Sequence, residues 1–136
     1  MEEKKIEINI KLNYFDISEF DSPDKPGSGK ENMDVNLLMI LDNMRHRSGI
    51  SYKITSGFRT PEHHKKLKEK GYKTSDTSPH LLGKAADIAA PDSRSKYLII
   101  EAALHFGIQR VGVGANFIHI DIQEEPEKPV RLIWTY

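Results

Sequence analysis

Apolar residues recur along the chain with two different periods, and these periods predict its secondary structure. Residues 37–44 carry apolar side chains at the i, i+3, i+4 and i+7 positions of an amphipathic helix, with Asp34 before them and Gly49 after them. Residues 93–106 show similar spacing and are followed by Gly107. Because capping residues flank both segments, we expect both to be helices that bury one face.

The remaining elements complete a mixed pattern. A third helix, mostly exposed, is predicted over residues 60–71, which open with Thr-Pro-Glu and close with Gly. Residues 21–32, rich in Pro, Gly, Ser and charge, are predicted to form a loop. Alternation of apolar and polar residues predicts strands at residues 6–12, 52–56, 84–90, 110–113, 117–123 and 130–136. This order indicates an α+β fold with helices mainly on one face of a small, largely antiparallel sheet. A length of 136 residues fits one domain, 1–136.

Three polar residues fall where the strand pattern predicts burial: His80, Asp87 and His119. Buried polar groups need compensating partners. On the strand of residues 117–123, three isoleucines share one face, while His119 and Asp121 share the other. The sequence therefore predicts a polar site beside the core.

Two imidazoles and one carboxylate form a ligand set that suits zinc, and three protein ligands leave a fourth position for water. Such a site is catalytic rather than structural, and the reaction it implies is hydrolysis of an amide or similar bond. The chain has no Cys, which excludes disulfide scaffolds and thiolate zinc fingers. The helical His-Glu-x-x-His signature is absent as well.

Residues 78–87, SPHLLGKAAD, resemble the Ser-x-His-x-x-Gly-x-Ala-x-Asp motif of the zinc D-alanyl-D-alanine carboxypeptidases and related peptidoglycan peptidases. Residues 54–61, ITSGFRTP, resemble the Ser-Gly-aromatic-Arg segment of that family, and residues 117–121, FIHID, resemble its last metal-ligand strand. The resemblance covers roughly residues 14–136. It implies the fold shared by hedgehog and D-Ala-D-Ala peptidase domains, with a zinc site in a cleft on the sheet face opposite the helices.

The resemblance also implies roles for individual residues. It assigns the zinc ligands to His80, Asp87 and His119. Arg59 is expected to bind the substrate carboxylate, or the carbonyl oxygen that becomes an oxyanion, because its charge is fixed and its donors are forked. Ser78 is expected at the substrate site as a hydrogen-bonding loop residue, since a zinc-water mechanism needs no serine nucleophile.

The general base is the point at which this sequence departs from the family. Several members carry Glu three residues before the last His ligand, and others carry His two residues before it; here Asn116 and Phe117 occupy these positions. Members of one subgroup have His-x-Asp on this strand, as His119 and Asp121 stand here. Two roles for Asp121 stay open: general base at the metal, or acceptor from an imidazole or an Arg without substrate contact.

The ligand set thus predicts a zinc-dependent hydrolase that uses metal-activated water, and the resemblance implies a peptidase that cuts amide bonds of peptidoglycan stem peptides. It can be a D,D-carboxypeptidase or an endopeptidase of the endolysin type. The alternative is a non-catalytic, zinc-containing module that binds cell-wall peptides and has lost the general base. A third hypothesis is a structural zinc domain, which chelation would unfold.

Charge and hydropathy limit the partners and the location. Twenty Lys and Arg balance twenty Asp and Glu, so nucleic-acid binding is not expected. No apolar run approaches the roughly 18 to 20 residues that span a bilayer, and the first residues do not form a secretory signal. We expect a monomer that acts on the cell wall, in the periplasm or outside the cell. The small size and lack of a signal favour a phage or prophage lysis enzyme released from the cytoplasm over a trimmed host enzyme.

The other aromatic and histidine residues are predicted to have ordinary roles. His63 and His64 are expected on the surface of the exposed helix. His46 and His105 lie in the last turns of their helices, where the helix dipole favours a protonated ring, and both are expected to be structural. The closing residues Trp134 and Tyr136 are predicted to form core or cleft wall.

Overall fold

A five-stranded sheet with the strand order β1-β2-β4-β3-β5 organises the computed structural model, which describes residues 11–72 and 74–136. All neighbouring strands pair antiparallel except β3 and β5, which are parallel. The strands are β1 Ile54–Ser56, β2 Ala85–Ala89, β3 Arg110–Val113, β4 Phe117–Asp121 and β5 Leu132–Thr135. The helices are α1 Ser28–Asn32, α2 Val35–Ser48, α3 Pro61–Glu69 and α4 Ser93–His105, with 3-10 turns at Ile17–Phe20 and Pro79–Leu82.

The core lies between the sheet and the pair α2 and α4. Ile118 and Ile120 of β4 and Ile99 of α4 are fully buried in one cluster that also holds the apolar stripe of α2. Strand geometry then directs the alternate residues of β4 to the opposite face of the sheet. The α+β fold and the helix-covered face are confirmed. Helix α3 is the exception, because its residues line a cleft with the polar residues of β4.

Capping residues set the helix boundaries as the sequence predicts. The Asp34 side chain accepts hydrogen bonds from the backbone N–H groups of Asn36 and Leu37, and Gly49 ends α2 in the left-handed conformation with φ 70°. Thr60 caps α3 in the same way by accepting from the N–H of His63. Tertiary packing and local capping therefore agree for both helices.

The predicted loop over residues 21–32 is wrong at its end, where α1 forms after Gly27 and packs against the 3-10 turn Ile17–Phe20. The two carboxylate oxygens of Asp21 accept from the N–H groups of Gly27 and Gly29, which supports the first turn of this short helix. The predicted strand over residues 6–12 falls mostly outside the described residues. Within the described part of the chain, no helix is long and apolar enough to cross a membrane.

Candidate metal centre

His80, Asp87 and His119 converge at one point on the open face of the sheet. One candidate ligand atom from each lies within 4.8 Å of the others. His80 Nε2 lies 3.2 Å and His119 Nδ1 lies 2.8 Å from the same oxygen, Asp87 Oδ1. The register that places Asp87 opposite His119 in the β2–β4 pair brings two of the three together. All three residues are buried.

The third residue, His80, is presented by a short turn between two special positions. Ser78 Oγ accepts from the backbone N–H of His80 at 3.3 Å and starts the turn Pro79–Leu82. Gly83 ends the turn with φ 68°, and a Cβ at this position would overlap the carbonyl oxygen of Asn32. Only glycine combines this backbone conformation with so close an approach to α1. The Ser and the Gly of the motif therefore shape the turn that carries His80.

Residues 57–59 hold the His80 ring from the other side. The carbonyl of Gly57 lies 2.8 Å from His80 Nδ1, and the N–H of Arg59 donates to the carbonyl of His80 at 3.1 Å. A Cβ at Gly57 would lie 2.6 Å from the carbonyl oxygen of Phe20. Close backbone packing at Gly57 thus aims a carbonyl at the imidazole.

These outer hydrogen bonds show that the cluster fits a metal ion. A carbonyl and a carboxylate can only accept, so His80 Nδ1 donates to Gly57, and His119 Nε2 donates to Asp121 Oδ2 at 2.8 Å. In the neutral form of each ring, the inner nitrogen then directs a lone pair toward Asp87, and a proton on that nitrogen would donate to Asp87 instead. Three electron-pair donors at one point need a cation or an added proton. Two imidazole nitrogens and one carboxylate oxygen form a ligand set of intermediate softness, which suits zinc.

The electrostatics of the three residues differ although they touch. Burial lowers the pKa of His80 and outweighs the attraction of Asp87. Burial also acts to lower the pKa of His119, but its hydrogen bonds to Asp121 and Asp87 raise that pKa above its ordinary value. Burial opposes ionisation of Asp87, yet the two imidazoles hold the pKa of its carboxyl far below the usual range. Asp87 is therefore a carboxylate and His80 a neutral ring at neutral pH.

Asp121 is committed to protein partners. Oδ2 accepts from His119, and Oδ1 accepts from Arg110 Nε at 2.7 Å and from the N–H of Gln123 at 3.1 Å. The Asp121 side chain has no exposed surface. Sequence reasoning did not single out Arg110. The available signal was a charged residue at the start of a predicted buried strand, where burial demands a partner.

Arg59 lies at the edge of the same cluster. Its Nε donates to Ser56 Oγ at 2.9 Å, and its Nη2 lies 3.5 Å from Asp87 Oδ2, the carboxylate oxygen that neither His contacts. The Arg59 side chain retains 12% exposure. The structure therefore brings Arg59 next to the His-Asp-His cluster, and Arg59 lines the cleft above it. Ser78 also lines this cleft, although its hydroxyl oxygen serves the His80 turn.

The cleft over the cluster has a volume of about 1190 Å³. It is lined by residues of α3 and of the segment after it, and by Phe117, Trp134 and Tyr136, which together form an aromatic wall. The Trp134 ring centroid lies 5.6 Å from that of His119, so the prediction of a cleft wall fits the structure. The surface prediction for His64 is wrong, because His64 is buried and its Nε2 lies 2.8 Å from the carbonyl of Ser75.

Fold and site together define a mixed α+β domain with a candidate His-Asp-His metal centre in an open cleft. The family model described as peptidoglycan L,D-endopeptidase MepK matches residues 17–127. The chain therefore belongs to this family of peptidoglycan peptidases, as its motifs predict.

A solved structure supports the same fold. The crystal structure of the Serratia marcescens L-Ala D-Glu endopeptidase ChiX superposes with a TM-score of 0.54 at 17% sequence identity. The match covers 68% of this chain and 82% of that one. No curated protein sequence matches the chain.

Proposed function

We propose that the chain is a zinc-dependent endopeptidase that hydrolyses an amide bond between an L- and a D-residue in peptidoglycan stem peptides. The observation that carries this proposal is the convergence of His80, Asp87 and His119 within an open cleft of a chain that belongs to a peptidoglycan peptidase family. The family description favours an L,D-endopeptidase over a D,D-carboxypeptidase. We further propose that it acts on the cell wall; its origin in a phage remains a prediction.

His80, Asp87 and His119 would hold the ion through Nε2, a carboxylate oxygen and Nδ1. A bound zinc ion polarises a carbonyl oxygen and lowers the pKa of a coordinated water to about 7. The hydrogen bonds of His80 to Gly57 and of His119 to Asp121 fix both tautomers for this task.

Arg59 supplies the fixed positive charge beside the scissile bond. Ser56 holds its Nε, and its Nη groups, of which Nη2 makes only a long 3.5 Å contact with Asp87 Oδ2, would donate to the carbonyl oxygen as negative charge develops there. A carboxylate of the substrate is the other group that this fork fits, as a bidentate partner. Ser78 contributes by keeping the His80 turn in place, and its contact with substrate remains a prediction.

For Asp121, the contacts favour the orienting role. A general base must reach the proton that it removes, either directly or through one water. Both oxygens of Asp121 already accept from protein donors, and no part of the side chain is exposed. We therefore propose that Asp121 positions His119.

The second candidate is a binding module that holds zinc and stem peptides without cutting them. It is favoured by the lack of an acidic group at Asn116 and Phe117, both of which line the cleft, together with the commitment of Asp121. This module would bind the same peptides through Arg59 and the aromatic wall.

Product analysis decides between these functions. Zinc-loaded protein is incubated with purified muropeptides that contain defined L,D and D,D bonds, and the products are identified by mass spectrometry. We expect new termini at an L,D bond, which disappear in His119→Ala and persist in His105→Ala, an exposed histidine outside the cleft. Release of terminal D-Ala alone would assign a carboxypeptidase. Intact peptides that nevertheless bind the wild-type protein in calorimetry would assign the binding module.

A further inference from the structure

Arg110 contacts the end of β4, the loop that follows it and β5. It is the first residue of β3, pairs with Asp121 in the β3–β4 register and is only 8% exposed. Its Nε donates to Asp121 Oδ1 at 2.7 Å, and its Nη1 donates to the carbonyl of Pro129 at 2.6 Å. Its Cζ lies 5.1 Å from the centroid of the Trp134 ring. One guanidinium thus contacts a carboxylate, a loop carbonyl and an aromatic face.

The contact with Asp121 leads directly to the candidate metal centre. A wholly buried carboxylate is costly unless a cation and hydrogen bonds compensate for it. Arg110 provides that charge by donating to Oδ1 of Asp121. The other carboxylate oxygen, Oδ2, remains available to accept from His119 Nε2. With Nε2 donating, His119 directs Nδ1 toward Asp87 Oδ1 at 2.8 Å. Without Arg110, Asp121 would have only neutral backbone and imidazole donors.

We propose that Arg110 is a positioning residue, which orients His119 through Asp121. It also aligns Trp134 of the aromatic wall and the loop between β4 and β5 with the candidate metal centre. The inference rests on the proposed metal site and deepens it, because it identifies what holds one ligand in place. The hydrogen bonds of Arg110 go to Asp121 and Pro129, and not to the candidate metal ligands. Its effect passes through the carboxylate.

The geometry requires the shape of Arg as well as its charge. The planar guanidinium donates in two directions within its plane and presents its face to an indole ring. A Lys ammonium could neutralise Asp121, but it could not also reach Pro129 and stack on Trp134. Arg110→Lys therefore keeps the positive charge of the residue and removes the two-directional donors of the guanidinium.

Zinc affinity tests the inference without relying on activity. The dissociation constant is measured by competition with a chromophoric chelator for the wild type, Arg110→Met and Arg110→Lys. Arg47→Met serves as the matched control, because Arg47 makes an exposed ion pair with Glu101 and neither residue lines the cleft. We expect zinc binding to weaken by about 10 to 100-fold in Arg110→Met, by less in Arg110→Lys, and not in Arg47→Met.

Fluorescence gives a second readout, since Trp134 is the one Trp in the sequence. Acrylamide should quench Trp134 more strongly in both Arg110 variants than in the wild type or Arg47→Met. Circular dichroism establishes that each variant is folded; if Arg110→Met is not, Arg110→Lys and Asp121→Asn take its place. Wild-type zinc affinity in a folded Arg110 variant would overturn the inference. Failure of the wild type to bind zinc would instead overturn the proposed function, and the inference with it.

Discussion

Substitution of Gly83 by Ala should be unusually harmful, because two separate costs meet at this residue. The backbone of Gly83 is left-handed, with φ 68°, and the added Cβ would overlap the carbonyl oxygen of Asn32 and lie 2.7 Å from its carbon. Both obstacles are backbone atoms, so no side-chain rotation relieves them. The N–H of Asp34 also donates to the Gly83 carbonyl at 2.9 Å, which ties the turn to the start of α2.

The size of the effect follows from adding the two costs. A left-handed L-residue costs about 1 to 2 kcal/mol. Forcing an extra carbon into a packed region costs about 1 to 3 kcal/mol. We therefore expect Gly83→Ala to lower the free energy of unfolding by about 2 to 5 kcal/mol. Because Gly83 ends the turn that carries His80, we expect zinc affinity to fall as well.

Two control variants isolate each cost. Gly107 has φ 82° and no atom within 4 Å of an added Cβ, so Gly107→Ala reports the conformational cost alone. Gly57 lacks positive φ but approaches Phe20, so Gly57→Ala reports the steric cost. Urea unfolding, followed by circular dichroism, measures all three variants. Gly83→Ala that differs from Gly107→Ala by less than about 0.5 kcal/mol would refute the reasoning, since the overlap would then carry no energy.

Three further experiments test the site and the fold. Asp121→Asn should bind zinc about 10 to 100-fold more weakly and recover hydrolysis at saturating zinc; loss of about 10² to 10⁴-fold at full zinc occupancy would instead identify Asp121 as the general base. Chelation should lower the melting temperature but leave far-UV circular dichroism at 25 °C unchanged, because the three candidate ligands are not part of the apolar core that holds the fold together. Unfolding on chelation would instead support a structural zinc domain. Hydrogen bonds from Ser22 to Asp24 and from Ser95 to Asp92 lower both pKa values, so their stabilisation is complete above the unfolded pKa of about 3.9 and is lost as pH falls through the folded values. Urea unfolding at pH 6 and pH 3 should show this loss, to a smaller extent in Asp92→Asn; equal stability at both pH values would contradict it.

Elements with strong local signals were predictable from sequence. The caps of α2 at Asp34 and Gly49 lie where predicted, and β3 has the predicted bounds 110–113. Alternation along β4 separated the isoleucines from His119, and this separation placed the polar row on the face opposite the core. These features follow from local periodicity and capping, which need no knowledge of the rest of the chain.

Features that depend on distant partners were not predictable in this way. The burial of His64 depends on the carbonyl of Ser75, eleven residues away in a segment without periodic pattern. The helix α1 forms inside a stretch whose composition favours turns, because Asp21 and the neighbouring 3-10 turn support it. The pairing of Arg110 with Asp121 depends on strand register, which a single sequence does not reveal.

The structure also changes what the zero net charge of the chain implies. Taken alone, that value offers no long-range attraction to an anionic wall. Within the cleft, however, Arg110 neutralises Asp121, and among the described residues that line it Asp87 would be the one carboxylate left to face a divalent ion. With zinc bound, Arg59 and the ion together would leave the centre positive, and Lys128 also lines the cleft. A carboxylate-bearing stem peptide would therefore meet a local attraction at short range, where low dielectric strengthens it and salt screens it least.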